Sequence, residues 1–141
     1  MAQVEPTPAL LKGNQALAVA AAAAGWIVPG LGHVLLRKWA KALVYFVAVG
    51  MVAVIGLLLR GNVFTYGGGD PFGVLGFLAD AGSGIFYFLA SRINPAGADV
   101  SRAAGDYGTR LIATAGVLNM LCMLEAFQIA FRNGEERRDM E

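Results

Sequence analysis

Polar and apolar positions fall into blocks along the chain. Four apolar stretches, at about 15–36, 42–59, 73–90 and 111–131, are separated by short polar ones. Ala16 to Leu36 contains one titratable side chain, His33, and Ala42 to Leu59 contains only Tyr45. The other two stretches hold one carboxylate each, Asp80 and Glu125. A helix that crosses a bilayer needs roughly 17–25 mostly apolar residues. The pattern predicts an all-α fold, a polytopic membrane helical bundle of three to four transmembrane segments. It reads as one integral membrane domain over 1–141, with polar tails at 1–14 and 132–141.

The first segment is interrupted. Pro29 removes a backbone donor, and Gly30 and Gly32 beside it permit a sharp change of direction. A helix from Gln15 to about Val28 is expected, then a bend and a short turn reaching Arg37. The straight part rises only about 21 Å against a hydrocarbon core of about 30 Å, so it spans with the bent part included or it re-enters. Lys12 ahead of Ala16–Ala24 has the form of a secretory leader; the reading adopted is an uncleaved first helix. Arg37-Lys38-Trp39-Ala40-Lys41 suits a membrane surface. Residues 42–59 form the cleanest span, and Gly67-Gly68-Gly69-Asp70-Pro71 lies in a loop, 61–72. A single helix is expected over 73–90, a polar connection over 92–110, and a last helix over 111–131. No repeat with a 20–50 residue period is visible. The bias of Lys and Arg toward the cytoplasm places 37–41 and 92–110 there and 61–72 outside.

Composition narrows the chemistry. Charged residues make up 15% of the chain, hydrophobic ones 57%, and mean hydropathy is +0.58; soluble domains carry about 25% charged residues. Eleven Lys and Arg against ten Asp and Glu leave no basic excess for nucleic acid. One cysteine, Cys122, and one histidine, His33, exclude a disulfide or a His-pair metal site within the chain. No phosphate loop, HExxH, CxxC or GxSxG motif occurs, and Gly67–Gly69 lacks the Lys-Ser/Thr that a phosphate loop needs. No enzyme activity, metal or nucleic-acid partner is expected.

The polar residues inside the apolar stretches are the candidates. A carboxylate at bilayer depth costs about 2.5–3.5 kcal/mol on insertion scales and must face protein or water. Asp80 shares a helical face with Gly73, Gly76, Ser83 and Gly84, small residues that let a neighbouring backbone approach. It reads as a proton or cation site, or as a packing hydrogen bond; the absence of a second acid or base in its segment favours packing. Asn119 lies on a small-residue stripe with Ala115, Cys122 and Ala126, a second helix contact. Glu125 is two turns from Arg132 and pairs with it or with another helix. His33 is either a polar cap for carbonyls freed at the bend or an axial ligand for a haem or chlorophyll-type pigment, with capping preferred. Phe86, Tyr87 and Phe88 read as an interfacial belt.

Gly25-Trp26-Ile27-Val28-Pro29-Gly30-Leu31-Gly32-His33, followed by Leu35-Leu36-Arg37-Lys38 and Lys41-Ala42-Leu43, resembles a widespread small bacterial membrane domain of two transmembrane helices around a Pro-Gly-Leu-Gly-[Gln/His] bend. The resemblance covers about residues 15–60, with Val34-Leu35-Leu36 where that domain usually has an aromatic-Leu-Gly stretch. The second half looks like its longer relatives with added helices. It implies architecture and no particular activity.

The expectation is a non-catalytic accessory or structural subunit, in contact with membrane lipids and other integral membrane subunits. Its host would be an energy-converting complex, respiratory or photosynthetic. The alternatives are a small transporter or proton-conducting component using Asp80 and Glu125, and a pigment- or haem-binding subunit using His33.

Overall fold

The computed structural model describes residues 8–64, 71–93, 103–138 and 140. All regular structure among them is helical: α1 Pro8–Ile27, α2 Leu31–Leu35, α3 Trp39–Leu58, α4 Pro71–Ala81, α5 Ile85–Ile93 and α6 Ala103–Arg138. α3 and the Ala103–Gly134 part of α6 are long and apolar enough to cross a membrane. The α4–α5 pair adds a third span only if counted as one, and the apolar part of α1, Gln15–Ile27, is shorter.

The bend in the first segment forms where Pro29 and Gly30 predict it. Gly30 has φ +83°, and a Cβ there would lie 2.3 Å from the Ala42 carbonyl oxygen, so no other residue fits. α2 and α3 then end alike. Arg37 (φ 58°) and Arg60 (φ 56°) take the left-handed position that follows a helix. The amides after them, Lys38 and Gly61, donate back to the His33 and Gly56 carbonyls, a Schellman closure. An arginine there forgoes glycine's freedom but sets a cation at the negative end of the helix dipole.

The third apolar stretch is not one helix. It breaks at Gly82–Gly84, and its two halves are bent by 114°. Both outer ends lie toward the same end of the bundle: Gly76 of α4 faces the Phe64 ring, and Ala90 of α5 packs with Val63 and Ile112. The pair is thus a hairpin. The apolar pattern of 73–90 conceals this, because Gly82-Ser83-Gly84 leaves hydropathy high while permitting the turn.

α6 is the shared wall, touching α1, α2, α3 and α4. It runs antiparallel to α3: Lys41 meets Glu125 at one end, and the Gly61 and Gly108 backbones meet at the other. α1 enters from the Glu125 end, where Ala18 and Ala21 pack on Ala126 and Ala130, and its tip reaches Asn119. Asn119 lies eleven residues from Gly108 and thirteen from Arg132, about 16 and 20 Å at helical rise and so near mid-depth. The chain is therefore built twice in opposite senses. α1–α2 is a hairpin entering from one end, followed by the span α3; α4–α5 enters from the other end, followed by the span α6. This is the logic of an inverted-topology repeat.

Three expectations are corrected by this layout. Residues 37–41 and the described part of 92–110 do not lie at one end of the bundle; they are at opposite ends of α6, because the chain doubles back at Gly82–Gly84. Residues 94–102 and the loop positions 65–70 are outside the described residues. Helix continues through Ala103–Arg110, and through 132–138, where a tail was expected. There Asp106–Arg110 (2.9 Å) and Arg132–Glu136 (4.0 Å) pair at i,i+4. Phe86 and Tyr87 turn inward, onto the Val49–Ala53–Ala115 and Val63–Ala90–Ile112 clusters, and only Phe88 faces outward.

Candidate functional site

Two polar centres occupy the bundle. The first is the joint where the hairpin tips meet. Each tip is a helix C-terminus, where carbonyls run out of helical partners and a bilayer offers none; within the second tip the Ser83 and Gly84 amides already serve the Asp80 and Ala81 carbonyls. The fold supplies donors from side chains. Asn119 Nδ2 donates to the Trp26 carbonyl (3.2 Å) and to the Gly82 carbonyl (2.9 Å), bridging both tips from α6. Trp26 Nε1 donates to the Ala81 carbonyl at 3.0 Å. Ser83 Oγ donates to the Asp80 carbonyl at 2.6 Å, inside the second break.

Asp80 is fully buried beside this joint. Its Oδ2 accepts the Phe64 amide at 2.6 Å, which holds the chain leaving α3 against α4. The outer Oδ1 of Asp80 and the Oδ1 of Asn119 have no hydrogen-bond partner among the described residues. Of the small residues placed on this face, Gly76, Ser83 and Gly84 are in close contact, whereas Gly73 has open space where a Cβ would stand.

The second centre gathers around Glu125, partly exposed at the α3–α6 seam. Lys41 Nζ donates to Oε1, and the Tyr45 hydroxyl donates to Oε2. The His33 Nε2 lies 3.4 Å from Oε2, within ion-pair range but without hydrogen-bond alignment, and the ring stands edge-on to Tyr45 at 4.8 Å. α2 is short enough to drop His33, 1% exposed, into the angle between α3 and α6. Lys41 is half exposed, so its ion pair adds little stability; it fixes where the carboxylate points. Glu125 pairs across helices and not with Arg132, one of the two arrangements its spacing allowed. The His33 Nε2 faces Glu125, and among the described residues it has no hydrogen bond to a carbonyl freed at the bend. A macrocycle on Nε2 would have to displace both Glu125 and Tyr45.

A family model covers residues 20–138, from the middle of α1 through the end of α6. The chain belongs to DUF6677, a family of unknown function. No curated protein and no solved structure matches this DUF6677 chain. The matched region takes in both hairpins, both spans and both polar centres.

Asp80 and Glu125 do not meet in the DUF6677 fold. Asp80 partners Phe64, toward the Gly108 end, and Glu125 partners residues at the Lys41 end. Trp26, Lys41 and Tyr45 were not singled out from sequence as site residues. Trp26 enters the sequence reading only within the Pro-Gly-Leu-Gly motif, and nothing local marks Lys41 or Tyr45, which are 84 and 80 residues from Glu125. Among the described residues no group of three or more His, Cys, Asp or Glu side chains is arranged to hold a metal ion.

Proposed function

We propose that this protein is a non-catalytic integral membrane subunit that packs against another membrane protein. The observation that carries the reading is a second small-residue stripe on α1. Ala18, Ala21 and Gly25 are buried against α6, while Ala16, Ala20 and Ala23, at i, i+4 and i+7 on another face, stand exposed. In lipid, small residues earn their place by letting another helix backbone approach. The polar interior supports the same reading, since Asn119, Trp26 and Ser83 are committed to the fold's own carbonyls. A respiratory or photosynthetic complex is the narrower form of the proposal.

For topology, basic positions Lys12, Arg37, Lys38, Lys41, Arg132, Arg137 and Arg138 lie toward the Glu125 end, against Arg60, Arg92 and Arg110 toward the other. Cytoplasmic loops are the ones enriched in Lys and Arg. The proposal therefore sets the 37–41 turn on the cytoplasmic side of a bacterial inner membrane and the 61–72 loop outside.

The test is affinity purification of the tagged chain from native membranes in mild detergent, followed by a native gel and mass spectrometry. The expected result is a larger assembly of fixed stoichiometry that Ala20→Leu dissociates without changing the chain's own unfolding. A chain recovered alone or only with itself would overturn the proposal.

The opposed hairpins favour one second reading, a small proton-conducting or transport component. Broken helices that meet near mid-depth are where transporters of inverted design place their sites, and Asp80 and Asn119 are there. Under this reading Asp80→Asn, which keeps an oxygen for the Phe64 amide, abolishes proton flux in proteoliposomes while the chain folds normally. No flux from the unaltered chain would dismiss it.

A further inference from the structure

The α3–α6 seam carries two adjoining cavities with opposite linings. One, of about 370 Å³, is polar: Lys38 and Lys41 approach from α3 and its N-cap, and Gln128, Arg132 and Asn133 from α6. The other, of about 310 Å³, is apolar and is walled by Val44, Ala48, Leu118 and Leu121. Glu125 borders both, so the polar chamber and the apolar groove adjoin at that residue.

We propose that this seam is a binding site for one anionic phospholipid, with the phosphate in the polar chamber and an acyl chain along the groove. Charge selects the occupant. Three cations line the chamber against one carboxylate, and that carboxylate already holds Lys41 through Oε1. Lys38 has no ion-pair partner among the described residues. Among the described residues Arg132 pairs with Glu136 alone, at 4.0 Å with both side chains exposed, a contact that a phosphate would outcompete. The N-terminus of α3 adds partial positive charge, because its cap residue, Lys38, supplies no side-chain hydrogen bond to the first amides.

Depth selects it as well. Trp39, 67% exposed beside Lys38, marks the level of an interface. The groove runs from there along the spanning parts of α3 and α6, where only a hydrocarbon chain is at home. Basic pockets between transmembrane helices are a general form of anionic headgroup site. Glu125, Tyr45 and His33 take a positioning role here: they hold Lys41 at the mouth and close the floor between chamber and core.

The site is on the α3–α6 seam, away from the exposed α1 stripe, so it stands or falls independently of the proposed subunit contact. The experiment uses the full chain, delipidated in mild detergent. Phosphatidylglycerol, phosphatidylcholine of the same acyl chains, and inorganic phosphate are added separately, with thermal unfolding and native mass spectrometry as readouts. Phosphatidylglycerol is expected to raise the unfolding midpoint and to stay bound one per chain, with the other two doing neither. Each cation removed should weaken retention about fivefold, so Lys38→Gln with Arg132→Gln costs about thirtyfold. Both side chains are exposed, and this variant folds. Ala48→Trp, which fills the groove without touching the charges, should also release the lipid. Equal retention of phosphatidylcholine, an equal effect of inorganic phosphate, or undiminished phosphatidylglycerol retention in either variant would overturn the proposal.

Discussion

Asn119→Leu is expected to destabilise the protein by about 2–4 kcal/mol while leaving α3 and the outer part of α6 helical. Leucine fits the volume but removes the amide that serves two carbonyls at once, those of Trp26 and Gly82. Each hydrogen bond between transmembrane helices is worth about 0.6–1.7 kcal/mol, and a buried carbonyl left without a donor adds about 1–3 kcal/mol. Unfolding in detergent followed by near-ultraviolet circular dichroism is the measurement, since Trp26 sits at the joint. Trp26→Phe deletes only the donor to Ala81 and should cost about 1 kcal/mol. The two losses should not add, because both substitutions loosen the same pair of tips. A change under about 0.5 kcal/mol for Asn119→Leu would mean that the joint is not what holds the hairpins together.

A single methyl group should have opposite effects at two glycines eleven positions apart, Gly73 and Gly84. Gly84 sits at the second hairpin tip with φ +60°, and a Cβ there would stand 1.9 Å from the Trp26 carbonyl oxygen. Alanine costs about 1–2 kcal/mol for the left-handed backbone alone. The clash adds to this, since the obstructing atom is backbone and the end of α1 must move to relieve it. Gly84→Ala is expected to lose more than about 3 kcal/mol, in the range that marks a named structural fault. Gly73, within α4, has nothing within 4 Å of its would-be Cβ. Gly73→Ala should gain about 0.5–1 kcal/mol from helix propensity. Thermal unfolding of the two variants side by side checks both, and equal effects would show that the tips are not in close contact.

The membrane class and the bend at Pro29-Gly30 were legible because each rests on local chemistry. Apolar blocks report burial in lipid, and Pro-Gly reports a break wherever it occurs. The stripe of Ala115, Asn119 and Ala126 was legible as a helix contact for the same reason, since helical spacing alone puts small residues on one face. The break at Gly82–Gly84 was not. Its residues are compatible with a continuous helix, and what bends the chain there is the arrival of Trp26 and Asn119 with donors for the Ala81 and Gly82 carbonyls. From that one break follow the replacement of a single helix over 73–90 by two, the move of Arg92 and Ala103–Arg110 to the other end of the bundle, and the inward turn of Phe86 and Tyr87.

The candidate site divides in the same way. Asp80, Asn119, Glu125 and His33 stand out in the sequence because a polar side chain in an apolar block is costly and must have a reason to be there. Which reason applies is a matter of long-range partners. Glu125 acquires Lys41 and Tyr45 from a helix more than eighty positions earlier in one case and eighty in the other, and His33 through a five-residue helix. Asp80 acquires the Phe64 amide from the connection between α3 and α4. The inverted arrangement of the two halves was equally hidden. It requires only a glycine-bearing break at each of the two tips, a condition that very different sequences meet, so no repeated residues announce it. Composition and periodicity specify the solvent and the helices because both act over a few residues. The meeting of two hairpins near mid-depth depends on which distant donors reach the freed carbonyls, and that is settled only when the whole chain packs.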